Sequence, residues 1–328
     1  PTGPGNARVM WGSGNAAYCG TGQSPATATD ESAFSRTSDG GDTWEQVSLI
    51  DTRIIFLDIA IAASPRSVFV ATTNGLGIES IWRAAGEPFG RYWERIYTFN
   101  APSNQVIVRL SPGYATDYTL YIAEVGGTQM AVSYTRGNTW RLRWTPGPVV
   151  DIAVAGKDIL YAGLPSGMVT RSNASALYWE PSTITGLPAI NMLAMTPDGT
   201  ALLVGGRNGD AAYSTDGGKS FTVMEPVGTG LVQMAADSNY ATNRTIYTGE
   251  GNRILRTVMG SGQAWTTIRT TTASRRFTGL ASIDSILYSA WWDSVAAGSG
   301  AERSLAPLAR QTEWDTLDKG STTARFDT

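Results

Sequence analysis

Histidine is absent from the sequence, cysteine occurs once, lysine only three times, and no apolar run approaches the roughly 18 residues of a membrane-spanning helix. Without imidazole there is no Ser-His-Asp nucleophile, no histidine general base and no His-ligated zinc. No cysteine pair, Walker loop or Gly-x-Gly-x-x-Gly turn after a strand takes their place, so neither a metal nor a cofactor is expected. The single thiol, Cys19, cannot close a disulfide within the chain. It reads as a small buried hydrophobe, with a bridge between molecules as the sharper alternative. Charge is sparse as well: 25 Lys and Arg against 28 Asp and Glu give a net charge of −3 over 328 residues. No basic stripe with interleaved aromatics appears, which argues against a nucleic-acid partner.

What is present is repetition. The octet TSDGGDTW, Thr37 to Trp44, returns as STDGGKSF, Ser214 to Phe221, and in weaker form as SYTRGNTW, Ser133 to Trp140. The shared pattern is Ser/Thr-x-Asp-x-Gly-x-Ser/Thr-aromatic. Its Asp and hydroxyl oxygens can accept backbone N–H groups across a tight turn, its Gly supplies a positive φ, and its aromatic enters the core at the start of the next strand. Thr37, Asp39, Gly41, Thr43 and Trp44 are therefore expected to lock a hairpin. The same holds for Ser133, Gly137, Thr139 and Trp140, and for Ser214, Asp216, Gly218, Ser220 and Phe221.

The aromatic persists where the rest decays. Trp44, Trp93, Trp140, Trp179, Phe221, Trp265 and Trp314 follow one another at 49, 47, 39, 42, 44 and 49 residues. A period in the forties built from short strands predicts propeller blades. The expected fold is all-β: a seven-bladed β-propeller with four antiparallel strands per blade and the octet turning between the third and fourth strands. One interval shows the parse, with strands over 191–196, 201–205, 211–215 and 221–224. Residues 1–317 are expected to form this single domain and residues 318–328 a polar tail or linker. Beginning at Pro1, the sequence reads as a processed form or as a segment of something longer.

These octets resemble the Asp-box, or BNR-repeat, β-propellers. Two units match fully, Thr135 stands where the third has lost its Asp, and four units keep the aromatic alone. The resemblance implies that the box lies on the blade rim, making Asp39 and Asp216 architectural. It spans enzymes and non-enzymes alike, among them sialidases, xyloglucan-cleaving glycosidases, sorting-receptor ectodomains, photosystem assembly factors and bacterial surface proteins. The Arg-Ile-Pro signature of the sialidases is missing.

Carboxylates are the remaining candidates for chemistry. Asp58 in FLDIAIA and Asp151 in VVDIAVA occupy equivalent inner-strand positions; they are expected to bind neighbouring backbone N–H groups, with ligand contact as the alternative. Adjacent Trp291 and Trp292 cannot face the same side of a strand, so one of them is a candidate ligand contact beside a long 293–302 connector, which ring closure would set next to the 23–31 connector of the first blade. Asn173 and Asn243 head Asn-x-Ser/Thr triplets and are candidate glycosylation sites.

These features favour a non-catalytic structural or interaction propeller of an exported cell-envelope or surface-layer-type protein. Its partners would be other protein subunits, copies of itself or glycans, and its location extracellular or at the cell surface. A sialidase-like or xyloglucan-hydrolase-like glycoside hydrolase is the alternative, and an assembly factor for a membrane complex the third reading.

Overall fold

A computed structural model describes residues 6–12, 14–22, 33–49, 55–73, 78–86, 90, 92–103, 105–260, 264–295, 298–317 and 325–327. Seven antiparallel sheets follow one another along the chain, each built from consecutive segments. Naming strands from the hub outwards, blade 1 comprises Asn6–Trp11, Ala17–Gly22, Ala33–Thr37 and Glu45–Leu49, and blade 2 Ile55–Ala62, Ser67–Thr73, Ile78–Ala85 and Glu94–Asn100. Blade 3 is Val106–Leu110, Leu120–Glu124, Gln129–Ser133 and Arg141–Trp144; blade 4 is Asp151–Val154, Leu160–Leu164, Met168–Ser172 and Thr183–Ile184. Blade 5 is Ile190–Met195, Leu202–Gly206, Ala211–Ser214 and Thr222–Val223; blade 6 is Val232–Ala236, Thr245–Glu250, Arg253–Val258 and Thr266–Thr270. Blade 7 is Arg275–Ile283, Ile286–Asp293, Gly298–Ser304 and Asp315–Thr316. The chain is a seven-bladed β-propeller.

The second strands explain how the blades stack. Each carries an apolar residue, a bulky one, any residue and then Gly or Ala, as in Ala17-Tyr18-Cys19-Gly20, Leu160-Tyr161-Ala162-Gly163 and Ile246-Tyr247-Thr248-Gly249. The bulky side chain is buried in the stack, while the small residue lets the next blade's inner strand come close. A Cβ on Gly205 would stand 2.4 Å from the Val232 carbonyl oxygen of blade 6, and one on Gly20 would meet the Phe56 ring of blade 2 at 2.4 Å. Because both faces of every sheet are covered, the second strands of blades 3, 4 and 5 are buried along their whole length.

At the periphery, the aromatic anchors join blades as well as filling space. The indole N–H of Trp140 donates to Ile96 O, that of Trp179 to Trp144 O, that of Trp265 to Glu225 O and that of Trp314 to Ile268 O, each on the outer strand of the preceding blade or the segment just after it. Third-strand arginines join blades in the opposite direction, each donating to the blade that follows. Arg83 donates to Arg136 O at 2.6 Å in blade 3, Arg256 to Pro307 O in blade 7, and Arg303 to Gly40 O at 3.1 Å in blade 1.

Blades 1 and 7 close the ring. Trp11 stacks on Tyr288 at 3.9 Å, and Gly14 N–H donates to Asp284 Oδ2 at 2.9 Å. The segment expected as a linker also takes part: Arg325–Asp327 forms a fifth strand on blade 1, parallel to its inner strand in the register Asn6 with Arg325, and lies against the second and third strands of blade 7. A backbone edge left unpaired attracts another strand whatever the polarity of its side chains.

The connector expected over 293–302 is shorter, since Gly298–Ser304 is the third strand of blade 7. Its Gly- and Ser-rich sequence has little β-propensity, and pairing with the whole of 287–293 imposes the strand. The expected 23–31 loop and most of the 318–328 tail lie outside the described residues. No helix among the described residues is long and apolar enough to cross a membrane; the two that occur are single turns, Tyr114–Asp117 and Tyr240–Asn243.

Candidate functional site

Two places hold the residues singled out from the sequence: the hub and the rim. At the hub, Asp58 of blade 2 and Asp151 of blade 4 flank Arg109 of blade 3. Arg109 Nη1 lies 2.6 Å from Asp58 Oδ2, and Nη2 lies 3.0 Å from Asp151 Oδ1. Each carboxylate also accepts an N–H from the inner strand of the next blade, Asp58 from Val108 at 2.8 Å and Asp151 from Leu193 at 2.8 Å. The equivalent atom in blade 5 is Met192 Sδ, which faces Met234 N–H at 2.9 Å. The hub acids are thus rungs between adjacent inner strands, linked across three blades by one guanidinium.

Electrostatics follow from burial and pairing. Burial raises the Asp151 carboxyl above its ordinary range, with Arg109 and the Leu193 and Ile152 amides working against that rise. For Arg109 burial disfavours the charge, but Asp58 and Asp151 outweigh it and the guanidinium is held more firmly protonated than usual. Sequence reasoning identified the two acids and missed the arginine. Its signal is the lone charge inside the apolar inner strand VIVRL.

Other buried carboxylates are similarly occupied. Glu79 accepts Ala101 N–H at 2.8 Å, Glu250 accepts Gly230 N–H at 2.7 Å, and Glu302 takes both Nε and Nη2 of Arg269 at 3.0 and 2.8 Å. Among the described residues no three acids or thiols gather as metal ligands would.

At the rim, the box turns divide their work by burial. The first hydroxyl accepts the buried N–H four residues on: Thr37 from Gly41 at 3.0 Å, Ser133 from Gly137 at 2.8 Å and Ser214 from Gly218 at 2.9 Å. The Asp serves the exposed side. Asp39 accepts Thr43 N–H at 2.9 Å and the Thr43 hydroxyl; Asp216 accepts Ser220 N–H at 3.0 Å and its hydroxyl at 2.6 Å. Hydroxyl bonds pull both carboxyls below the usual range, led for Asp39 by Thr37, which donates at 2.6 Å, and for Asp216, lowered to about 2, by Ser220. Thr135 reproduces the arrangement without charge, accepting Thr139 N–H at 2.9 Å.

Blade 4 has the same turn, because it keeps the first hydroxyl of the octet, Ser172, as well as the aromatic that the sequence reading credited to it. Ser172 Oγ accepts Ala176 N–H at 3.0 Å, with Ala174 where the Asp would be and Ala176 at φ 60° in place of Gly. In that turn Leu177 and Tyr178 are 55% and 72% exposed.

The remaining candidates are dispersed. Trp291 is buried with Arg275 3.8 Å above its ring, and Trp292 is half-buried on the opposite side of the strand. Asn173 is exposed, whereas the Asn243 amide donates to buried Asp237 at 2.7 Å. Cys19 is fully buried and burial pushes its thiol up to about 12, so the folded protein does not offer it for a bridge between molecules.

With this geometry in view, no family model and no curated protein sequence matches the chain. Solved structures do. The kinship is one of fold. The chain is similar to YCF48 from Cyanidioschyzon merolae at 15% identity and a TM-score of 0.61, over 83% of this chain and 87% of that one. A structure of YCF48 bound to D1 peptide matches at 13% identity and 0.61, over 81% and 86%. Chaetomium thermophilum Sqt1 bound to the N-terminus of the ribosomal protein L10 matches at 11% identity and 0.65, over 92% and 91%.

Proposed function

We propose that this propeller is a non-catalytic, protein-binding scaffold. One observation carries the reading: both hub carboxylates that could have served as acid and base are bound by Arg109 and by backbone amides of the neighbouring blade. A glycoside hydrolase needs one carboxyl free to donate a proton and a second free to attack or to activate water. Here the pair fixes the spacing of inner strands. Similar propellers solved with a D1 peptide and with the N-terminus of L10 support a role in holding segments of other proteins.

Within this reading we place the chain among Asp-box propellers, on the strength of the Thr37–Trp44 and Ser214–Phe221 turns, and in an exported, surface-layer-type setting outside the cell. A hydroxyl-rich, lysine-poor surface and the exposed Asn173 triplet support that setting. A second reading, assembly factor for a membrane complex, would use the same kind of contact, a segment of another protein held as YCF48 holds the D1 peptide.

The test is cross-linking of the native protein in its source cells, identification of the joined protein, and reconstitution of the pair from purified components. A stoichiometric complex supports the scaffold role. Turnover of a sialoside or β-glucan that disappears in Asp58→Asn or Asp151→Asn would overturn it.

A further inference from the structure

The rim sector shared by blades 3 and 4 departs from the box pattern in one direction. Blades 1 and 5 carry acids in their boxes, Asp39 and Asp42 in one and Asp216 in the other. Blade 3 has Thr135 and Arg136 there, and blade 4 has Ala174 followed by exposed Leu177 and Tyr178. The backbone bonds of the turn survive both changes, through Ser133 and Ser172. The same turn is therefore held with different side chains, and departures from a local rule that leave the fold intact point to function.

Several third-strand arginines face a carboxylate: Arg36, Arg83 and Arg303 face Glu45, Glu94 and Asp315, and within this sector Arg171 faces Glu180. Arg141 and Lys157, both exposed, lean instead on one ring, that of Tyr134, at 5.7 and 5.5 Å. Arg136 lies over Tyr118 at 3.9 Å, and Arg143 donates to Ser175 O and Leu142 O. Among the described residues none of these four has a carboxylate partner. Three acids stand nearby: Asp158 accepts Ser175 Oγ at 2.5 Å, Asp117 accepts Ser111 Oγ at 2.6 Å and Glu180 pairs with Arg171, so the cations of the sector outnumber them. In a chain of net charge −3, this sector is positive and apolar together.

We propose that the rim between blades 3 and 4 docks a segment of a partner protein in which acidic residues flank an aromatic or aliphatic one. The proposal rests on the scaffold reading above and adds the face and the chemistry. Arg141, Arg143 and Lys157 supply charge complementarity. Leu177 and Tyr178, two and three residues past the Ser175 carbonyl that Arg143 binds, supply an exposed apolar surface beside that cation for the flanked residue.

The test uses the full chain and a short fluorescein-labelled peptide in which Asp and Glu flank one Trp, read by anisotropy. Arg141→Glu/Lys157→Glu is the charge-reversed variant, and Tyr178→Ser the apolar one. All three positions are exposed, and unchanged thermal unfolding verifies that each variant folds. The expected result is binding that weakens about tenfold in either variant, about tenfold when Trp becomes Ser in the peptide, and progressively with salt. Absence of binding, equal binding by the reversed variant, or equal binding of an aromatic-free polyanion such as an RNA oligomer overturns the proposal. A cross-linked partner that binds all variants like the parent protein refutes this face and leaves the scaffold reading standing. Failure to reconstitute any partner removes the scaffold reading itself.

Discussion

Ser214→Ala, Asp216→Ala and Asp216→Thr separate two roles inside one turn. Ser214 Oγ accepts the N–H of buried Gly218 at 2.9 Å, out of reach of water, so removing it strands a buried donor at about 1–3 kcal/mol. Asp216 accepts the N–H groups of Lys219 and Ser220, each at 3.0 Å, but it is exposed and water can replace it. Its loss resembles loss of a helix cap, and about 0.5–1 kcal/mol is expected. Thr at 216 should recover most of that, because Thr135 already bonds Thr139 in the same way in blade 3. Urea unfolding of the three variants at neutral pH gives the ranking directly.

A pH series adds a sign. The Asp216 carboxyl is lowered from 3.8 to about 2, so its contribution is complete above the unfolded value and fades as pH falls through about 2. The gap between the parent protein and Asp216→Ala should narrow on acidification, while the gap to Ser214→Ala should persist. An Asp216→Ala cost equal to or above that of Ser214→Ala would refute the division of labour. The four box turns described above already agree with it, since each retains the hydroxyl and only two retain the Asp.

Further outcomes follow from the hub, the blade contacts and the thiol. Arg109→Met leaves Asp58 and Asp151 unpaired and should cost about 3 kcal/mol at neutral pH, toward the low end for a broken buried pair because Arg109 is 31% exposed. The Asp151 carboxyl, already raised by burial, then rises further; the folded state binds more protons than the unfolded one, so stability should recover as pH is lowered, which thermal melts across pH will report. Gly205→Ala drives a Cβ to 2.4 Å from the backbone Val232 O and should cost about 3 kcal/mol, whereas Gly163→Ala meets side chains alone, Ile190 at 3.2 Å and Leu193 at 3.4 Å, and should cost about 1 kcal/mol or less by urea unfolding. Cys19 should resist a thiol reagent in the native protein and react at once in denaturant; prompt native labelling would contradict its burial.

The blade count was legible because each anchor aromatic sits at a wedge between blades and is hard to replace. Trp179 holds its place although Ala174 and Ala176 stand where the octet has Asp and Gly. The second-strand pattern ending in Gly20, Gly163 or Gly249 was equally present, but a small residue within a strand has no meaning until the next blade's backbone is known to pass beside it. Arg109 was hidden for a related reason. Its two carboxylates lie 51 and 42 residues away along the chain, and only radial arrangement brings three inner strands to one point. Gly298–Ser304 and Arg325–Asp327 read as loop and linker because their pairing is imposed by neighbours rather than by their own side chains. The cationic rim of blades 3 and 4 was invisible for the opposite reason, since its defining trait is what the boxes have lost.

Closure of the ring carries a consequence for how the polypeptide could be rearranged. Strands from near both ends of the chain lie side by side in blade 1, and every other sheet is complete within one stretch of sequence. Order around the axis is therefore set by contacts between successive wedges. A circularly permuted gene, opened at exposed Pro188 between blades 4 and 5 and sealed between Asp327 and Asn6, would encode the same neighbours in the same rotation, with its new ends opposite the old seam.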